Sequence, residues 1–155
     1  MAENKPRGQG LRRGRVSEPG RIYLVTTVTH ARQPLFADFQ SARLLVRCLR
    51  HLDEAGLAAE SLCFVVMPDH LHWLFALGER KPLSGLVQIL KNLSGRQVNA
   101  MRGQVGPVWQ PGFHDHALRA EEDVVGVARY VVANPVRAGL VGRVGEYPFW
   151  DAKWL

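Results

Sequence analysis

Two histidines one residue apart, His70 and His72, sit inside the otherwise apolar run Met67-Pro68-Asp69-His70-Leu71-His72-Trp73-Leu74-Phe75. On a strand, side chains alternate between faces, so both imidazoles point one way while Leu71 points the other. Two imidazoles on one face make half of a metal site. Imidazole accepts zinc, manganese, iron and nickel, and a further oxygen ligand with open positions suits a hard cation that polarises a phosphoryl oxygen. A second group of residues supplies something to act with: Tyr130 and, four residues on, Asn134, in Arg129-Tyr130-Val131-Val132-Ala133-Asn134-Pro135. Residues four apart share a helix face, which brings a phenol and a carboxamide toward one ion. Asn134 is then a candidate oxygen ligand and Tyr130 a candidate nucleophile. A phenol with a pKa of about 10 is almost fully protonated at neutral pH, and a nearby cation supplies part of the activation it needs. The combination points to phosphoryl chemistry on DNA.

Each of these residues also has a plainer explanation. Strand histidines are more often satisfied by core hydrogen bonds than by metal, and a tyrosine near a helix end commonly packs its ring while its hydroxyl meets water. His114-Asp115-His116 is a second pair with the same spacing, and spacing alone does not rank it below the first. It is an accessory candidate, to clamp DNA or add a distal ligand. The first pair is preferred because an apolar strand places side chains rigidly, whereas the second follows a glycine-rich loop. His30 lies just past the first strand, where solvent is its expected environment. Tyr23, at the start of a buried strand, and Tyr147, before a proline, lack a polar partner at helical spacing.

The elements that must position these groups follow from periodicity. Ile22 to Thr29 is rich in β-branched residues and predicts a strand. Asp38 can cap a helix with Leu45, Cys48, Leu49 and Leu52 on its inner face, closed by Gly56. Ser61 to Met67 and His70 to Leu77 predict a hairpin about Pro68-Asp69. A second helix from Ser84 places Leu86, Ile89, Leu90 and Leu93 on one side. Its other side carries Lys91, Asn92, Arg96, Gln97 and Asn99 and is expected to face phosphates. Residues 103–112 form a glycine- and proline-rich loop before a short strand at His114 to Arg119. The third helix begins with Glu121, Glu122 and Asp123, carries Val124, Val127, Ala128 and Val131 inward, and is expected to end at Asn134, before Pro135. From Pro135 onward no clear period is visible, and Tyr147, Phe149, Trp150 and Trp154 are expected to pack over the body as a tail. This order predicts an α+β fold, an antiparallel sheet with helices packed mainly on one face.

Composition bounds the possibilities. At 155 residues the chain has the size of one ordinary domain, too short for an eight-stranded α/β barrel of roughly 200 residues or more. No apolar run approaches the roughly 18 residues that cross a bilayer. The first twenty residues lack the apolar stretch of a secretory signal, which makes a cytoplasmic location and no membrane partner the expectation. Cys48 and Cys63 fall in apolar segments and are expected to be buried free thiols. A net charge of +6 and a pI near 9.9 favour a polyanionic partner. Residues 1–19 predict a disordered basic arm, and residues 20–155 a single domain with a C-terminal tail. Arg12, Arg13 and Arg15 of the arm, with Lys91 and Arg96 of the second helix, are the candidate DNA-binding residues.

Four stretches together resemble a known family. They are Tyr23-Leu-Val-Thr-Thr-Val-Thr with Arg32-Gln-Pro-Leu-Phe36; Met67-Pro-Asp-His-Leu-His-Trp73; Trp109-Gln110 with Phe113-His-Asp-His116; and Arg129-Tyr130 with Asn134-Pro-Val-Arg-Ala-Gly-Leu140. This combination is similar to the single-tyrosine HUH (IS200-like) transposases and, more closely, to the REP-associated tyrosine transposases. The resemblance implies a ferredoxin-like core and a divalent cation, Mg2+ or Mn2+, held by His70 and His72. It also implies that Tyr130 attacks single-stranded DNA at hairpin sequences, leaving a 5′-phosphotyrosine and a free 3′-hydroxyl. Insertion-sequence relatives carry a glutamine four residues after the tyrosine, where this chain has Asn134, one methylene shorter. Monomer and homodimer are both compatible with the resemblance. The rival expectation is a non-catalytic module that binds hairpin DNA or RNA and retains the site as a relic.

Overall fold

Runs of β-branched and aromatic residues form the strands, because such side chains fit a pleated, half-buried surface. In the computed structural model, which describes residues 17–57 and 60–154, these are β1 (Ile22–Val28), β2 (Glu60–Met67), β3 (His70–Ala76), β4 (His114–Ala117) and β5 (Trp150–Ala152). The helices are α1 (Phe39–Glu54), α2 (Leu83–Arg102), α3 (Val124–Val132) and the short α4 (Asn134–Arg137). The strands pair in the order β4-β1-β3-β2-β5, every neighbour antiparallel. Two β-α-β crossovers, through α1 and α2, interleave to give the ferredoxin-like arrangement, and β5 extends it at the β2 edge.

Both faces of the sheet are covered. On one, Tyr23, Val25, Leu71, Trp73 and Phe75 pack with Leu45, Leu49 and Leu52 of α1 and Leu86 and Leu90 of α2. On the other, Cys63, Val65, Met67 and Leu74 meet Ala128, Val131 and Val132 of α3. The two long helices therefore share a face, as expected, and a nine-residue helix occupies the opposite one. Double coverage explains why β2 reads as an unbroken apolar run rather than an alternating one.

Local signals account for most boundaries. Asp38 caps α1 by accepting from the Ser41 backbone N–H at 3.0 Å and its hydroxyl at 2.8 Å. Gly103 ends α2 in the left-handed conformation, φ 65°, that glycine adopts most cheaply. At the start of α2, Pro82 has no capping side chain, and the Ser17 hydroxyl accepts from the Leu83 N–H at 3.2 Å instead. Residues 17–19 of the expected arm are thus partly tied down, with the Glu18 N–H also donating to the Tyr23 hydroxyl at 2.9 Å. The rest of the arm, 1–16, lies outside the described residues.

Two expectations change in the last third. The third helix ends at Val132 rather than Asn134, and Pro135 does not stop the chain's helical path: it sits in the first turn of α4. Proline lacks an N–H, which an N-terminal turn would leave unbonded anyway, so it starts a helix as readily as it ends one. The tail is also more than an aromatic cover. β5 pairs with Cys63, Phe64 and Val65, the Val66 N–H donates to the Phe149 carbonyl at 2.9 Å, and the Tyr147 hydroxyl donates to the Val66 carbonyl at 2.6 Å. These bonds close an edge that would otherwise be open for pairing.

Candidate active site

Register places the histidines. His70 stands between Val28 and Met67, and His72 between Thr26 and Val65, in neighbouring strands. With Leu74 they point to the α3 side of the sheet. Their ring centroids are 4.7 Å apart and nearly perpendicular, at 81°. Each ring is held through Nδ1: His70 by the Asp69 carboxylate at 2.7 Å, His72 by the Thr26 hydroxyl at 2.8 Å. A carboxylate only accepts, so His70 Nδ1 carries a proton, and in the neutral ring Nε2 is the nitrogen with the lone pair. Thr26 can accept from His72 in the same manner. Among the described residues neither Nε2 has a hydrogen-bond partner, so both are free to ligate.

For His72, electrostatics favours the neutral state that ligation needs. Burial, then the neighbouring His70 and Arg137, push His72 down to about 4. Among the described residues no cluster of three or more His, Cys, Asp or Glu is placed to enclose an ion. A pair of imidazoles with no third such ligand beside it fits an open site, one that leaves positions for substrate and water oxygens.

Behind His70 stands a longer chain of contacts. Asp69 Oδ2 meets Arg32 Nε at 3.4 Å. Arg32 and Ala31 both have positive φ, 51° and 55°, a conformation costing non-glycine residues on the order of 1–2 kcal/mol each. The turn is held by Thr29, whose hydroxyl can donate to the Gln33 carbonyl at 2.8 Å and lies 3.2 Å from the Asp69 carbonyl.

Tyr130 stands on α3 with 65% of its surface exposed, while its neighbours Ala128, Val131 and Val132 are buried. The guanidinium of Arg137, on α4, lies over its ring with Cζ 3.6 Å from the centroid. The charge of Arg137 is also felt at His72, so a single side chain is associated with both the tyrosine and one histidine of the pair. Asn134 does not share a continuous helix with Tyr130, since α3 ends between them. Its side-chain N–H donates to the Val131 carbonyl at 2.8 Å, tying off the end of α3.

The second histidine pair lies on the same face as the first. Register sets His114 opposite Thr26 and His116 opposite Leu24, which puts Thr26 between His114 and His72. His116 Nε2 is 3.1 Å from each carboxylate oxygen of Glu122, and His114 is exposed. The loop before them is well anchored despite its glycines. Thr29 bridges to Trp109, Gln110 N–H donates to the Val28 carbonyl at 2.9 Å, and Trp109 Nε1 donates to the Ser94 hydroxyl at 3.0 Å.

Lys91 belongs to that anchoring, which corrects its expected place on a phosphate-facing surface. It is only 8% exposed, and its ammonium donates to the carbonyls of Gln110 at 2.8 Å and Gly112 at 2.7 Å. Burial pushes it down to about 8. Its position flanks the buried Val87, Leu90 and Ser94, and a four-carbon stem carries the charge inward to the loop. Arg96 is exposed, beside a groove of about 510 Å³ between α2 and residues 106–112. Arg12, Arg13 and Arg15 lie outside the described residues. Sequence reasoning missed Arg137, Asp69, Arg32 and Thr26; for Asp69 alone a local signal existed, its position directly before His70.

A ferredoxin-like sheet thus carries a histidine–hydrophobic–histidine strand, and the helix bearing the exposed Tyr130 packs on the same side of the sheet as those histidines. The chain belongs to the IS200-like transposase family: the profile described as Transposase IS200 like matches residues 20–134, about three quarters of its length. Among curated relatives, a REP-associated tyrosine transposase of Escherichia coli K12 is 31% identical over 88 residues, covering 56% of this chain and 50% of the relative. A provisionally named REP-associated tyrosine transposase of Haemophilus influenzae is 27% identical over 100 residues, covering 58% and 57%. The chain thus spans about half the length of the curated relatives it matches. Among solved structures, a REP-associated tyrosine transposase bound to a REP hairpin superposes with a TM-score of 0.68 at 23% identity, covering 97% of this chain and 82% of the other. A provisionally assigned transposase of Deinococcus radiodurans R1 gives 0.53 at 21% identity, covering 71% and 87%. Among the described residues no helix is long and apolar enough to cross a membrane.

Proposed function

We propose that this protein is a REP-associated type of tyrosine transposase, which nicks and rejoins single-stranded DNA at hairpin sequences through a covalent 5′-phosphotyrosine on Tyr130. The observation that carries this reading is the exposed phenol of Tyr130, stacked under Arg137, whose charge is felt at His72 of the histidine pair. In the reaction the Tyr130 oxygen attacks the scissile phosphorus and its proton passes to water. The P–O3′ bond breaks, and the 3′-oxygen leaves with the electron pair and takes up a proton. The new phosphotyrosine ester conserves the energy of the broken phosphodiester, so a free 3′-hydroxyl can reverse the step and rejoin a strand without external energy.

His70 and His72 are the residues that would hold Mg2+ or Mn2+, with Asn134 as a third contact if its carboxamide turns from Val131. Such a cation supplies Lewis acidity at the phosphate. Asp69 and Thr26 keep the imidazoles oriented through their Nδ1 atoms, and Thr26 stands between His72 and His114 in the sheet. Hairpin DNA as partner is supported by the solved neighbour bound to a REP hairpin. The test is to incubate the protein with hairpin-bearing single-stranded DNA and Mn2+. Nicked product that EDTA suppresses supports the reading; tight hairpin binding with no nicking under any divalent cation favours the non-catalytic module.

A further inference from the structure

Arg137 is exposed, and among the described residues no carboxylate lies within ion-pairing distance of it, whereas Arg32, Arg102 and Arg119 each have one. It is nevertheless placed with care. Pro135 is buried at the base of α4, and the Arg137 N–H donates to the Ala133 carbonyl at 3.0 Å, so the side chain projects from a fixed turn back over Tyr130. The guanidinium lies 3.6 Å from the ring centroid. A guanidinium with no carboxylate partner, stacked on the Tyr130 ring and with its charge felt at His72, is a ready partner for an anion that approaches the phenol. In the transferase reading, the anion that comes up to the Tyr130 phenol is the phosphate under attack.

We propose that Arg137 is a catalytic residue that grips a non-bridging oxygen of the scissile phosphate and stabilises the negative charge that builds there as Tyr130 attacks. This rests on the transferase reading above. Guanidinium suits the task because its planar fork matches two phosphate oxygens, it stays charged, and it stacks on an aromatic ring at little cost in hydration. In the resting protein the Tyr130 ring keeps the fork parked next to the site. During the step the P–O bond to Tyr130 forms and the P–O3′ bond breaks, while Arg137 neither gains nor loses a proton.

The test compares wild type with Arg137→Ala and Arg137→Lys in single-turnover nicking of hairpin single-stranded DNA with Mn2+, at saturating DNA, with thermal melting as a control of folding. Loss of one such electrostatic donor lowers rates by about 100-fold or more. The expected result is a fall of that order in Arg137→Ala at nearly unchanged hairpin affinity, an intermediate rate in Arg137→Lys, and partial recovery of the Ala variant on adding millimolar guanidinium. An undiminished rate in Arg137→Ala overturns the proposal. So does a loss that neither lysine nor guanidinium mends, because it would mean the side chain only positions Tyr130. Absence of nicking by wild type would overturn the transferase reading itself and this proposal with it.

Discussion

His70 Nδ1 and Asp69 Oδ1 lie 2.7 Å apart across adjacent residues, and the same carboxylate meets Arg32 through its other oxygen at 3.4 Å. A turn connecting two strands thus does two jobs: it reverses the chain and sets the tautomer of a metal-ligand candidate. Partners of this kind, one bond removed from the ion, typically alter metal affinity by about 10–100-fold when mutated. Asp69→Asn should weaken Mn2+ binding by that order, read by titration calorimetry, and excess Mn2+ should recover nicking. Unchanged Mn2+ affinity would show that Asp69 serves only the turn.

The two histidines themselves should separate chemistry from binding. His70→Ala and His72→Ala are expected to abolish nicking while leaving hairpin affinity, measured by fluorescence anisotropy, within a few-fold of wild type. Most nucleic-acid contacts go to phosphates and sugars spread over a wide surface, not to one site. An equal loss of affinity would contradict that division.

Ala31 gives a prediction about stability alone. Its left-handed backbone, φ 55° and ψ 23°, is one that glycine tolerates and alanine resists. Relief of about 1–2 kcal/mol of strain is partly offset by glycine's larger entropy in the unfolded chain. Ala31→Gly should therefore raise stability by up to about 1 kcal/mol in urea unfolding. A clear loss would show that the turn depends on the methyl group.

Lys91 should be an anchor whose removal is felt in the loop. Lys91→Met keeps most of the stem but leaves the Gln110 and Gly112 carbonyls without their donor, a cost of about 2 kcal/mol. Its pH dependence has a definite sign. Burial lowers Lys91 from 10.5 to about 8 in the folded protein, so between pH 8 and 10.5 the unfolded chain binds more protons at this group. Stability contributed by Lys91 therefore rises with pH across that window. Urea midpoints of wild type and Lys91→Met should diverge progressively from pH 8 to 10; parallel profiles would rule the shift out.

Much of this architecture was readable where signals are local. The Asp38 cap, the apolar spacing through Leu45 to Leu52, and the Pro68-Asp69 turn each act within a few residues of the element they define. Period-two alternation put His70 and His72 on one face, but which face, and how much of it α3 leaves open, depends on packing between elements distant in sequence. β5 was invisible because three residues are too few to show a period, and its stability comes from hydrogen bonds to β2. Lys91 falls near the polar side of a helical wheel, which carries no information about a loop twenty residues away whose carbonyls draw the ammonium inward. Arg137 was hidden by Pro135, read as a stop although it opens a new turn, and that turn is what folds the arginine back over Tyr130.

The claim that Tyr130 is the attacking group is tested most directly by the fate of the cut strand. Hairpin-bearing single-stranded DNA labelled at its 3′ end, incubated with Mn2+ and run on a denaturing gel, should give a labelled band that migrates with the protein. Peptide mass spectrometry should locate the nucleotide on Tyr130, and Tyr130→Phe should yield no such band while still binding the hairpin. A covalent band that persists in Tyr130→Phe, or nicking by wild type that passes through no protein-bound strand, would contradict the account.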